Sequence, residues 1–280
     1  MEVIGHKKQI DFLTKISKLD KLSHAYLFTG QEKIGKKRIA LEWVSLLFDQ
    51  DVQKKQHPDL FLIEPSKEIQ ISQIRELIWK LSLKPYSAPL KIAIIDNAHL
   101  MNKEAQNALL KILEEPSGKA LLIFITEFSE LLLPTILSRV QRIKFFPVCK
   151  IEIKEYLEKQ KIKNSEIEEI IEFSYGKPGS AMNFILDSEK LKNQKKLIKE
   201  LMIISKANLS FRFQYAKDLS ENNIGEVLDI WLRYFRKMLI SGINYNKAIN
   251  IIKKIQSTNF LISTTNVNPR LALETLMLEF

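Results

Sequence analysis

The chain has 280 residues, 45% of them hydrophobic, with 8 Gly and 9 Pro. That length exceeds one ordinary core and that composition excludes a largely disordered chain, so two or three packed domains are expected. Cys149 is the only cysteine, which excludes an intramolecular disulfide and a cysteine-based zinc site, and 43 Lys and Arg against 33 Asp and Glu give a net charge of +10.

The positive balance favours a polyanion such as a DNA backbone. The lysines are nevertheless spread along the whole chain without a dense arginine patch, so charge alone selects no partner. The N-terminus lacks the basic-then-apolar pattern of a signal peptide, and no apolar run approaches the roughly 20 residues needed to span a bilayer. A cytoplasmic protein with no membrane partner is expected.

Through the first 150 residues short apolar runs alternate with amphipathic stretches, which predicts a parallel sheet covered by helices. Five strands are predicted, over 25–29, 59–64, 91–96, 120–126 and 142–147. They lack strict alternation and are expected to be buried on both faces.

After the first strand comes Gly30-Gln31-Glu32-Lys33-Ile34-Gly35-Lys36-Lys37, then a helix with Ala40, Trp43, Val44 and Leu47 at helical spacing. This is the setting of a phosphate-binding loop. In a working loop the glycines let backbone N–H groups surround phosphates, the lysine reaches the outer phosphates, and a Ser or Thr hydroxyl binds magnesium. Lys37 stands in place of that hydroxyl, and a cation there repels the metal.

The third strand ends Asp96-Asn97, where such proteins carry an acidic pair that orders magnesium and activates water. Asn97 cannot accept a proton from water. Asp96 has two readings, a metal ligand and a polar strand end. Further on, Ala105, Ala108, Leu109, Ile112 and Leu113 form one helical stripe, with Asn102 as its cap and Pro116 and Gly118 as its stop.

Beyond Pro147 the strand signals cease, and two helical domains are expected, over 149–207 and 208–280. The last helix carries Leu273, Leu276, Met277 and Phe280 on one face. Val227, Trp231, Tyr234 and Met238 share a helical stripe, so the cluster Trp231, Tyr234 and Phe235 reads as a core or subunit-contact face rather than a base-stacking platform. His6, His24, His57 and His99 have no paired ligand spacing. They read as structural, and no metal is expected.

Ser138-Arg139 precedes the fifth strand. On spacing alone, Arg139 reads as a cation on the last carbonyls of a helix over 130–137, and Arg142 as a solvated residue.

Taken together, His24-Ala25-Tyr26-Leu27-Phe28, the phosphate loop, His57-Pro58-Asp59, the stretch 95–116 and Ser138-Arg139-Val140-Gln141 occur in an order and spacing that resemble the bacterial clamp-loader subunits of DNA polymerase III, which are AAA+ proteins. Gly176-Lys177-Pro178-Gly179 is similar to that family's lid signature, and Asn268-Pro269-Arg270-Leu271-Ala272-Leu273-Glu274 to its final collar helix. The resemblance implies an α/β fold: a RecA-like three-layer domain with a five-stranded parallel sheet over 1–148, a small helical lid over 149–207 and an all-helical collar over 208–280.

Motor subunits of the family carry a four-cysteine zinc module, an intact phosphate loop and an acidic pair. This chain lacks all three and is more similar to the delta-prime type.

That resemblance implies a vestigial loop, Gly30, Gly35, Lys36 and Lys37 with Asp96 and Thr126, needing no cofactor and binding ATP weakly or not at all. Thr126 falls where the family senses the γ-phosphate, though it also reads as a plain strand-end threonine. Ser180 stands where many relatives have a nucleotide-facing arginine. Arg139, with Ser138, is implied to reach a nucleotide held by a neighbour.

The implied partners are gamma/tau-type motor subunits and a clamp-opening delta subunit in a hetero-oligomer, with the sliding clamp and primed DNA met through the complex. Two rivals remain: an active ATPase motor, and a stand-alone nucleic-acid-binding AAA+ protein.

Overall fold

A computed structural model describes every residue except 1–2, 19–21, 54–56, 66, 116–118, 161, 222–223, 243–244 and 266. It divides into two compact units, Met1–Met182 and Asn183–Phe280.

The first unit runs α1 (Lys7–Lys18), β1 (Ala25–Thr29), α2 (Lys36–Phe48), β2 (Leu60–Ile63), α3 (Ile71–Ser82), β3 (Lys91–Ile95), α4 (Lys103–Glu114), β4 (Ala120–Thr126), α5 (Pro134–Leu137) and β5 (Gln141–Lys144). Helices α6 (Lys150–Lys159), α7 (Asn164–Ser174) and α8 (Pro178–Leu186) follow. Among the described residues the strands form one sheet, in the order β2-β3-β4-β1-β5, with every pairing parallel.

Alternate residues of the central strands feed two cores. Ala25, Leu27, Ala93, Ile95, Leu122 and Phe124 pack with Ile74 and Leu77 of α3 and Leu109 and Leu113 of α4. Tyr26, Phe28, Ile92, Ile94, Ile123 and Ile125 face Leu13 of α1 and Ile39, Trp43 and Val44 of α2. Helices on both faces make the three layers, and explain why the central strands read as continuous apolar runs.

The edge strands depart from expectation. In β2 no residue is fully buried, and in β5 only Ile143 is. A strand with a neighbour on one side alone keeps its outer flank in water, so burial on both faces holds only for β1, β3 and β4.

Asn102 caps α4, its Oδ1 accepting from Ala105 N at 2.8 Å, while Pro116 and Gly118, the expected stop, lie outside the described residues. The His57-Pro58-Asp59 segment has a clear structural task. Asp59 is fully buried and accepts from the backbone N–H groups of Tyr86, Ser87 and Ala88 at 2.7, 2.9 and 3.0 Å, fixing the loop between α3 and β3. Burial opposes the charge of this carboxylate, yet the three N–H donors and nearby His57 hold its pKa below the usual value.

The second unit holds α9 (Ser188–Ile204), α10 (Leu209–Ser220), α11 (Ile224–Ile240), α12 (Tyr245–Thr264) and α13 (Pro269–Met277). Trp231 is fully buried, with ring centroids 6.2 Å from Tyr215 and 5.5 Å from Phe280, and Phe280 in turn stacks on Phe235 at 5.8 Å. Trp231 and Phe235 are therefore core, while Tyr234 is half-buried. Phe280 also packs inward, but from a turn beyond α13, which ends at Met277. Among the described residues no helix is long and apolar enough to cross a membrane.

Candidate functional site

Because the strands are parallel, the carboxyl ends of β1, β3 and β4 lie along one edge of the sheet, where α/β proteins of this kind build their sites. The loop from Gly30 to Lys36, Asp96 and Thr126 meet there. Gly30 has φ +148°, and a Cβ on it would sit 2.5 Å from the Phe145 carbonyl oxygen, so only glycine fits. Gly35, at φ +102°, turns the loop into α2.

Lys36 opens α2, but its side chain folds back into the loop. Nζ donates to the carbonyls of Gly30 and Gln31 at 2.5 and 2.6 Å, and the residue is only 7% exposed. Burial lowers its pKa to about 8, while the carboxylates of Glu127, Asp96 and Glu32 act in the opposite direction.

The next lysine reaches two acids. Lys37 Nζ lies 2.5 Å from Glu64 Oε1 and 3.9 Å from Asp96 Oδ2. Asp96 Oδ1 also accepts from the N–H of Asn97, which adopts φ +47°. A magnesium ion requires close oxygen ligands, about 2.0–2.1 Å away, in octahedral geometry. Here an ammonium already faces both carboxylates and no hydroxyl follows Lys36, so the residues present do not fit that metal.

The Thr126 hydroxyl accepts from Phe128 N at 3.0 Å in its own turn and is hydrogen-bonded to His99 Nδ1, from the segment after β3, at 3.0 Å. Burial lowers the pKa of His99, with Glu127 opposing that shift. Glu127 itself accepts from Glu32 N in the loop at 3.0 Å.

The first turn of α8 touches the same loop. Gly179 N donates to Lys33 O at 2.8 Å, and Val148 N donates to Gly176 O at 2.7 Å. Ser180 is buried within the first turn of α8 and donates its N–H to Lys177 O. On the other flank, His6 Nε2 lies 2.8 Å from Ile34 O, its ring edge-on to Phe145. The loop carbonyls of Gly30, Gln31, Lys33 and Ile34 thus all have partners within the chain. His57 likewise serves its own segment, Nδ1 accepting from Asp59 N. Among the described residues, no group of three or more His, Cys, Asp or Glu side chains could hold a metal ion.

Arg139 lies elsewhere on the unit. The helix expected over 130–137 is instead a 3-10 turn, Ser129–Leu131, followed by the single turn α5, because Pro134 starts a new helix. Arg139 Nη1 donates to Thr135 O at 2.9 Å and Ser138 Oγ at 3.2 Å, and Nη2 pairs with Glu114 Oε1 at 2.8 Å. Its side chain remains 34% exposed. Arg142 is exposed, as expected, and also donates Nη2 to Leu137 O at 3.3 Å.

Comparison with known proteins decides the family. Residues 5–149, just over half of the chain, match the family described as "DNA polymerase III, delta subunit", and curated relatives at 35% and 36% identity are delta-prime subunits. The chain belongs to the DNA polymerase III delta-prime family. One such relative, from Bacillus subtilis, is 35% identical over 147 residues, covering 46% of this chain and 44% of the relative. Another, from Pseudomonas aeruginosa, is 36% identical over 135 residues, covering 42% and 41%.

This member of the delta-prime family therefore aligns with less than half the length of those relatives. Its fold is similar to that of a gamma subunit-related protein of DNA polymerase III from Thermotoga maritima, with a TM-score of 0.60 and 21% identity over 96% of this chain and 97% of the other. The Holliday junction branch migration motor RuvB of the same organism has a TM-score of 0.51 and 19% identity over 85% and 76%.

Sequence reasoning identified Lys37 and Arg139 but missed the acids that hold them. Glu64, Glu114 and Glu127 come from other loops and helix ends, carry no motif and stand at no telling spacing.

Proposed function

We propose that the chain acts as the delta-prime-type subunit of a DNA polymerase III clamp loader, a cytoplasmic hetero-oligomer that places the sliding clamp on primed DNA. In this reading it hydrolyses little or no ATP and requires no cofactor. It presents Arg139, aided by Ser138, to a nucleotide held by a gamma/tau-type motor subunit, and meets a clamp-opening delta subunit on its other side. The helices after residue 148 serve as lid and, toward the C-terminus, as collar. DNA contact is shared with the other subunits and mainly electrostatic.

One observation carries the reading: Lys37 bridges Glu64 and approaches Asp96 where a motor would hold magnesium. Without metal or a paired acid to activate water, the loop has no means to promote phosphoryl transfer. Arg139 has the opposite character. It is partly exposed, planar and permanently charged, suited to stabilising charge that develops on a neighbour's phosphate.

The test has two arms. The isolated chain is expected to release phosphate from ATP at background rate with magnesium present, and turnover abolished by Lys36→Ala would favour an active motor instead. In the reconstituted loader, Arg139→Ala is expected to lower ATP turnover stimulated by DNA and clamp while complex assembly persists. An arginine finger contributes about 10³- to 10⁵-fold at one site, and the loss for the whole loader is smaller because the other sites keep their own arginines. Arg139→Lys should rescue poorly, because an ammonium lacks the paired donors of a guanidinium. Unchanged turnover with both variants would leave Arg139 a helix-end cation.

A further inference from the structure

The pairing of Arg139 with Glu114 raises the question of why an acid stands where it does. Glu114 is the last residue of α4, followed by Glu115 at the cap. Helix C-termini carry partial negative charge and favour cations, so a carboxylate there is electrostatically unfavourable unless something compensates. The compensating group is the guanidinium of Arg139, 2.8 Å from Glu114 Oε1.

This ion pair is not what holds α5 together. Ser138 N donates to Pro134 O and Arg139 N to Ile136 O through the backbone, and Arg142 separately donates to Leu137 O. The turn keeps those bonds if the Arg139 side chain leaves. Glu114 and Arg139 are 51% and 34% exposed, and pairs so open to solvent are weak and readily exchanged. A carboxylate that binds the arginine weakly, at a surface, competes with any other anion offered to it.

We infer that Glu114 is a positioning residue that parks the Arg139 guanidinium in the subunit's resting state and must release it before Arg139 can engage a nucleoside triphosphate bound by a neighbouring subunit. The inference rests on the reading of Arg139 given above and adds its regulation. A surface pair of this kind holds the arginine back by about two- to fivefold, and an apparent affinity falls in proportion to the fraction of the competent conformer. Parking therefore makes engagement depend on a well-placed triphosphate, at little cost to the engaged state.

The experiment uses the complete loader assembled with wild-type, Glu114→Gln, Arg139→Ala or doubly substituted subunit, with ATP turnover followed against ATP concentration in the presence of clamp and primed DNA. Glu114→Gln is expected to lower the half-saturating ATP concentration by about two- to fivefold with the maximal rate unchanged. The double variant should match Arg139→Ala alone, because Glu114 acts through the arginine. Thermal melting of the isolated subunits accompanies the series, since a merely structural pair would lower stability without raising apparent ATP affinity. An unchanged or raised half-saturating concentration for Glu114→Gln, with Arg139→Ala still slow, overturns the parking role and leaves the trans-acting role standing. Full activity of Arg139→Ala overturns both.

Discussion

The backbone N–H of Gly179 donates to the carbonyl oxygen of Lys33 at 2.8 Å, tying the first turn of α8 to the middle of the phosphate loop. A Cβ added at Gly179 would lie 2.8 Å from that same oxygen. Backbone cannot swing aside as a side chain can, and Lys33 is already held at φ +63°. Gly179→Ala should therefore break the contact and destabilise the first unit by about 1–3 kcal/mol, the usual range for overpacking. Thermal or denaturant unfolding measures it, and a melting temperature within experimental error of the parent would show that α8 can shift without cost.

Lys37→Thr restores the hydroxyl that a magnesium site requires and frees Glu64 and Asp96 from their cation. Magnesium-dependent nucleotide binding is expected to strengthen, on the order of tenfold, in equilibrium titrations with and without EDTA. Turnover should stay at background, because Asn97 still cannot take a proton from water. Binding that ignores magnesium in both proteins would mean that the ammonium of Lys37 is not what excludes the metal.

Asp59→Ala removes the acceptor of three backbone donors in a fully buried position. The expected loss is about 2–4 kcal/mol, as is usual for a buried charged hydrogen-bond network. The wild-type carboxyl has a lowered folded pKa. Its stabilising contribution is thus present above the unfolded value and fades as pH falls through the folded one. Comparing denaturant midpoints of the two proteins from neutral pH down into the acid range should show their difference shrinking, and a constant difference would assign the loss to packing alone.

Lys36 supplies a prediction at the other end of the pH scale. Its folded pKa is lowered to about 8 from 10.5 by burial. Between those values the unfolded chain binds the extra proton, so this group makes folding more favourable as pH rises through that window. Selective isotopic labelling of lysine should reveal one ε-resonance with a midpoint near 8 that disappears in Lys36→Met. A midpoint near the ordinary lysine value would show that water reaches the Nζ.

The sequence by itself determined the central layers and the lysine that stands where the loop's hydroxyl would be. β1 and β4 coincide with their predicted spans, because a strand buried on both faces writes its burial into a short unbroken run such as Ala25–Thr29. Glycine at 30 and 35, Asn102 before α4 and Lys37 after Lys36 were legible for a similar reason: turn geometry, capping and the order of phosphate ligands depend on neighbours a few positions away. The tertiary structure alone decided what lies across the fold. Strand order made β2 and β5 edges, and it placed Glu64 from beyond β2 against Lys37, Glu127 from beyond β4 against the loop, and the end of α4 against Arg139. Such pairs leave no periodic trace, because two charges on separate elements meet only when the packing of apolar faces fixes the distance between them.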